Sequence, residues 1–226
     1  MEIKNFYIEK GSGFPLILLH GNGEDHSYFE HQLDYFSKRY RVIALDTRGH
    51  GSSPRGCGEF NIARFAEDLY YFMIAHSIKK AHILGFSDGA NIAIKFAIKY
   101  PEMVDKLILN GGNLFPAGVK RSAQLPIEIG FKLACLFAKK SVVAKKNAEI
   151  LGLMVNDPNI DPGELCGIKA KTLVIAGTRD LILKKHTELI AESIPGAKLN
   201  FVEGNHFVAN KNSDDFNTVV ETFLAQ

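Results

Sequence analysis

Along this chain, short apolar runs alternate with longer stretches whose apolar residues recur at helical spacing. The runs at 14–19, 41–45, 81–84 and 172–176 are almost purely apolar, and 104–109 is apolar apart from Asp105 and Lys106, which predicts strands buried on both faces. Residues 198–202 read as a last strand, and 3–9, which alternates apolar and polar, as an edge strand. Between them, Phe29, Leu33 and Phe36 predict an amphipathic helix over 27–39. Ile62, Phe65, Leu69, Phe72 and Met73 predict a second, capped by Asn61. Pieces 184–193 and 214–224 read as further helices. After 81–84 the only polar residues up to Lys99 are Ser87, Asp88, Asn91, Lys95 and Lys99, and the last three lie four apart. Such a helix has one narrow wet stripe and is buried on its other faces.

Buried strands alternating with helices predict an α/β domain with a mostly parallel, doubly covered sheet. Ligands of such sheets bind beyond the carboxyl ends of the strands. The polar motifs follow those ends: His20-Gly21-Asn22-Gly23, Asp46 to Pro54, Asn110 to Asn113, Gly177 to Asp180 and Glu203 to His206. The alternation lapses over 114–169, where helix-like pieces at 125–140 and 142–154 precede a turn-rich segment. An insertion at the carboxyl side of the sheet is expected to form a short helical cap over the site. A longer crossover is the competing reading.

The buried strand turns into the buried helix at Gly85-Phe86-Ser87-Asp88-Gly89. A Gly-x-Ser-x-Gly turn there holds the serine in strained geometry beside the free N–H groups of a helix N-terminus. The competing reading is a serine that merely caps the helix. As a nucleophile, Ser87 needs a base and the base a carboxylate. Of eight histidines, His206 follows the last predicted strand directly. Asp180, three residues after Gly177 at another strand end, is the candidate carboxylate, although it could instead cap the helix near Lys184.

The order Ser87, Asp180, His206, together with His20-Gly21, Asp46-x-Arg48-Gly49-x-Gly51-x-Ser53, the elbow and Gly204-x-x-Phe207, resembles the α/β-hydrolase superfamily over essentially the whole chain. The small carboxylesterases and enol-lactonase-like members are most similar, although this chain has no tryptophan and carries Lys171 where a proline is usual. The resemblance implies catalytic Ser87, Asp180 and His206. It implies an oxyanion hole from the backbone N–H groups of Asn22 and Asp88, and Gly21 and Gly23 beside the substrate. His20 and the segment from Asp46 to Ser53 are read as structural, with Arg48 paired to a local carboxylate. A serine at the elbow excludes the relatives that use aspartate there. The expected reaction cleaves an ester, lactone or thioester of a small molecule through an acyl-enzyme. A lyase, an acyltransferase and a small-molecule receptor are the alternatives. Asp88 itself is read as stabilising the helix N-terminus rather than facing the acyl pocket.

Composition changes little. At 226 residues, 46% apolar and 23% charged, the chain suits one globular domain, 1–226 with 114–169 as its insertion. A net charge of +2 gives no reason to expect nucleic acid. Cys57, Cys135 and Cys166 form neither a disulfide framework nor a zinc motif. No apolar run suffices for a membrane span, and Met1 is not followed by a leader pattern. The expectations are therefore a cytoplasmic protein, monomer or homodimer, with no cofactor, metal or membrane partner. The insertion is rich in lysine, read as a solvated face, with steering of anionic substrates as the alternative.

Overall fold

The five apolar runs become neighbouring strands because each can bury both faces only inside a covered sheet. The computed structural model describes residues 3–226; Met1 and Glu2, where the leader expectation begins, lie outside them. The strands are β1 (Tyr7–Lys10), β2 (Pro15–Leu19), β3 (Arg41–Leu45), β4 (Ala81–Phe86), β5 (Val104–Asn110), β6 (Lys171–Gly177) and β7 (Lys198–Val202). They form one sheet in the order β1-β3-β2-β4-β5-β6-β7. Only β1 runs antiparallel, against β3.

Residue parity divides the core. Ile17, Leu19, Ile43 and Ile83 face the helices α2 (Ile62–Ala75), α3 (Asp88–Lys99) and α6 (Lys184–Ser193). Leu16, Leu18, Val42 and Leu84 face α1 (Glu30–Phe36) and α8 (Ser213–Leu224), through Phe36, Phe216 and Val220. Burying each such side chain contributes about 1.5–3 kcal/mol. Asn61 caps α2 as expected, its side chain accepting from the Arg64 N–H at 2.8 Å.

Three local expectations change. The edge strand begins at Tyr7 rather than at residue 3, because the Phe6 N–H donates to the Ser53 hydroxyl and the Asn5 side chain to the Asp46 carbonyl. The predicted 27–39 helix starts as a 3₁₀ turn, His26–Phe29, under the Asp25 carboxylate, and α1 follows it. A one-turn helix, α7 (Val208–Lys211), precedes α8.

The insertion carries α4 (Arg121–Phe137) and α5 (Val142–Asn156), packed against each other as a hairpin. Its closing part differs: Ile160, Leu165 and Ile168 are buried in the main core. Among the described residues, no helix is long and apolar enough to cross a membrane.

Candidate active site

At the carboxyl end of β4 the backbone turns at Ser87 with φ +52° and ψ −118°. A non-glycine residue held there costs about 1–3 kcal/mol and persists only when its surroundings enforce it. Here the Ser87 N–H donates to the Asn110 carbonyl on β5 at 2.8 Å, and the Ser87 carbonyl accepts from Ala90 and Asn91 as α3 begins. Gly89 completes the turn: a Cβ on it would lie 2.0 Å from the Leu19 carbonyl oxygen. The Ser87 side chain makes no capping hydrogen bond to α3, so the helix-capping reading of this serine fails.

His206 arrives on the loop after β7. Its Nδ1 lies 2.7 Å from Asp180 Oδ1, and both side chains are buried. Asp180 also accepts from the N–H groups of Ile182 and Gly177, at 2.9 and 3.1 Å. Burial pushes its carboxyl up, but the His206 hydrogen bond and charge, with the two N–H donors, outweigh burial and leave it below the usual carboxylate value. Asp180 is not the cap of α6, whose N-cap is Leu183. Gly111, at φ +62°, leaves room for the imidazole, since a Cβ there would approach His206 Cε1 to 2.8 Å.

Ser87 and His206 line one cavity of about 140 Å³ with Asn22 and Asp88. Among the described residues, neither the Asn22 nor the Asp88 backbone N–H donates an internal hydrogen bond. Gly21 and Gly23, expected beside the substrate, are not among the lining residues. Asn22 and Glu24 take that place. The Gly21 N–H is turned onto the Glu24 carboxylate at 3.1 Å, and Gly21 itself packs on the Phe86 ring.

Asp88 also departs from expectation. Its carboxylate faces the cavity and accepts from the Asn22 side chain at 2.8 Å and from Asn91 at 3.2 Å. Asn91 continues to Asn113 at 3.1 Å. The partner that rotates Asp88 sits 66 residues away, beyond the reach of any local helix-end rule. Burial raises its carboxyl to about 6 despite those two donors.

Sequence reasoning passed over Glu24, Asn113, Gln124 and Asp157, which also line the cavity. Glu24 and Asn113 do follow strand ends, and that position was the available signal. Burial lifts the Glu24 carboxyl to about 7. Asp157, whose carboxyl burial also raises, accepts from the Ile62 N–H at the start of α2. With Asp88 they give the cavity three carboxyl groups, and no lysine or arginine lies among its described lining residues. Its apolar wall includes Ile127 on α4, Met154 on α5, and Leu181 and Ile182 after β6.

The residues read as structural are so placed. Buried His20, lowered to about 4 chiefly by desolvation, is neutral at pH 7. Its Nε2 accepts from the Thr47 N–H, so Nδ1 donates to the Gly21 carbonyl and steadies the Asn22 loop. Arg48 forms a two-pronged buried pair with Asp68, 2.7 Å at each contact, and ties down the carbonyls of Arg55 and Cys57. Asp25, His26 and Asp46 cluster closely enough to hold a metal ion. The Asp46 oxygens, however, already accept from the N–H groups of His26 and Ser52, and the cluster reads as a loop anchor.

A family model described as the α/β-hydrolase fold matches residues 15–128, just over half of the chain. The chain belongs to that family. A 2-hydroxymuconate semialdehyde hydrolase of Pseudomonas putida is 27% identical over 259 residues, spanning 96% of this chain and 89% of the relative. The human serine hydrolase BPHL is 27% identical over 240 residues, spanning 96% and 82%. Among solved structures, the enol-lactonase from Burkholderia xenovorans LB400 superposes with a TM-score of 0.83 at 22% identity, over 99% of this chain and 97% of that one. These two relatives are hydrolases and this structural neighbour an enol-lactonase, and the chain is a hydrolase of the α/β fold.

Proposed function

We propose that this α/β hydrolase cleaves a carboxylic ester-like bond (ester, lactone or thioester) of a small molecule, with Ser87 as nucleophile. One observation carries the reading: a serine hydroxyl left out of helix capping shares a cavity with a histidine whose far ring nitrogen is held by a buried carboxylate. Asp180, held ionised, accepts from Nδ1–H and so keeps the Nε2 lone pair of His206 for the serine. Ser87 Oγ attacks the carbonyl carbon as its proton passes to Nε2. The N–H groups of Asn22 and Asp88 hold the oxyanion, each contributing about 10²–10³ in rate. The intermediate collapses, and the leaving alcohol or thiol takes the proton from His206. Water then attacks the acyl-enzyme with His206 again as base, releasing the acid and restoring Ser87. The α4–α5 hairpin acts as a cap, supplying Ile127 and Met154 as an apolar wall.

The test combines fluorophosphonate labelling, read by mass spectrometry, with turnover of p-nitrophenyl esters of increasing chain length. Phosphonylated Ser87 with turnover of short esters is expected. Labelling without turnover would favour an acyltransferase, a lyase or a receptor, and no labelling of folded protein would reject the nucleophile.

The three carboxyl groups, with no lysine or arginine among the described lining residues, favour a substrate that bears an amino group rather than an anion. An ammonium hydrogen-bonded to a buried carboxylate is worth about 1.5–3 kcal/mol. Asp88→Asn should therefore lower kcat/KM about 10- to 100-fold on amino-bearing esters and hardly at all on neutral isosteres. The sign with pH follows from its raised carboxyl: the preference is weak below about 6, where Asp88 is protonated, and grows above it. Equal losses on both ester classes would refute this assignment.

A further inference from the structure

The α4–α5 hairpin has a second face. At 100° per residue, Leu125, Ile129, Leu133 and Leu136 fall within an arc of about 80° on α4, and Gln124 and Ile127, which line the cavity, lie on the opposite side. The outward stripe is exposed at every position. It runs for about 18 Å along α4 and continues through Phe137 into the start of α5. Exposure rises towards the tip: Leu136 is 72% exposed, Phe137 57%, Val142 86% and Val143 69%. Isolated exposed apolar residues are ordinary, but a contiguous patch marks a binding surface.

Charge identifies what the patch fits. Between residues 129 and 148 the chain carries five lysines (Lys132, Lys139, Lys140, Lys145 and Lys146) and no acidic residue. None of the five forms an ion pair among the described residues, and the nearby acids are already engaged, Glu128 with Arg121 and Glu149 with Arg55. A second copy docked through this face by a twofold axis would set these lysines against the same lysines. An apolar helical face bordered by unpaired lysines is instead complementary to an anionic bilayer surface, with the apolar residues at the acyl boundary and the ammonium groups among the headgroups.

We infer that the hairpin tip docks this enzyme peripherally on anionic membrane surfaces. This departs from the expectation of no membrane partner, which rested on the lack of a spanning segment, and a protein that lies on a bilayer needs none. The inference is independent of the ester chemistry.

Cosedimentation of the full chain with vesicles of phosphatidylcholine, alone or mixed with phosphatidylglycerol, tests it. Binding is expected to the mixed vesicles, and it should weaken as salt rises. At about 1 kcal/mol per lysine near such a surface, Lys139→Gln with Lys140→Gln should weaken it roughly 25-fold. Leu136→Ser with Phe137→Ser should abolish it while circular dichroism and the melting temperature stay unchanged. No binding to mixed vesicles would overturn the proposal, as would binding indifferent to the Leu136 and Phe137 substitutions. Sedimentation velocity showing a dimer that Leu136→Ser dissociates would assign the face to a second copy instead.

Discussion

Ser87→Ala should lower kcat on an activated ester about 10⁶-fold, the scale seen when the nucleophile of a complete triad is removed. Melting temperature should barely move. The constraints on the elbow are backbone ones: the Ser87 N–H on the Asn110 carbonyl, the Ser87 carbonyl on Ala90 and Asn91, and Gly89 against Leu19. Alanine keeps all of them, and the serine hydroxyl has no capping bond to lose. The two readouts together separate a chemical loss from an unfolded elbow. Activity retained within a hundredfold of wild type would place the nucleophile elsewhere.

Asp180→Asn should lower kcat about 10⁴-fold with little change in KM, because it reverses the tautomer of His206 while leaving its position. An asparagine oxygen in the place of Oδ2 still accepts from the Gly177 N–H, which leaves the amide nitrogen in the place of Oδ1, where Ile182 and His206 now meet the carboxylate. Its amide N–H would then confront His206 Nδ1, drawing the imidazole proton to Nε2, where it blocks acceptance from Ser87. Steady-state kinetics on a p-nitrophenyl ester measure this. A loss of less than tenfold would mean that Asp180 serves the loop after β6 rather than the base.

How legible the molecule was in its sequence depended on the range of the interactions. Strands β2 to β6 were readable because a strand buried on both faces must be largely apolar, with the charged residues of β5 confined to its half-buried start, and β4 followed by α3 was readable from the switch in period at Ser87. His206 and Asp180 could be picked out because parallel topology puts strand-end loops on one edge. The orientation of Asp88 could not, since it depends on the Asn22 side chain. Gly21 and Gly23 were expected beside the substrate, whereas Asn22 and Glu24 line the cavity, because glycine signals a tight turn without saying which side chain the turn presents. The lysines of the hairpin were read as a solvated face. A linear pattern cannot tell whether Leu133 and Leu136 turn towards the core or away from it, and the packing of α4 decides that.

The Asn22 amide donates to Asp88, 66 residues along the chain, and also to the Ile150 carbonyl, 128 residues along. In chain entropy the second closure is cheap, since doubling a loop costs only about 0.6 kcal/mol. In time it is demanding, because domains dominated by contacts so distant in sequence fold slowly. The elbow is no more local than that amide: its strained turn leans on Asn110 of β5 and on Leu19 of β2, so nucleophile and oxyanion loop depend on the same assembled sheet. Without those supports nothing enforces the φ +52° turn, and the serine loses the geometry that presents it.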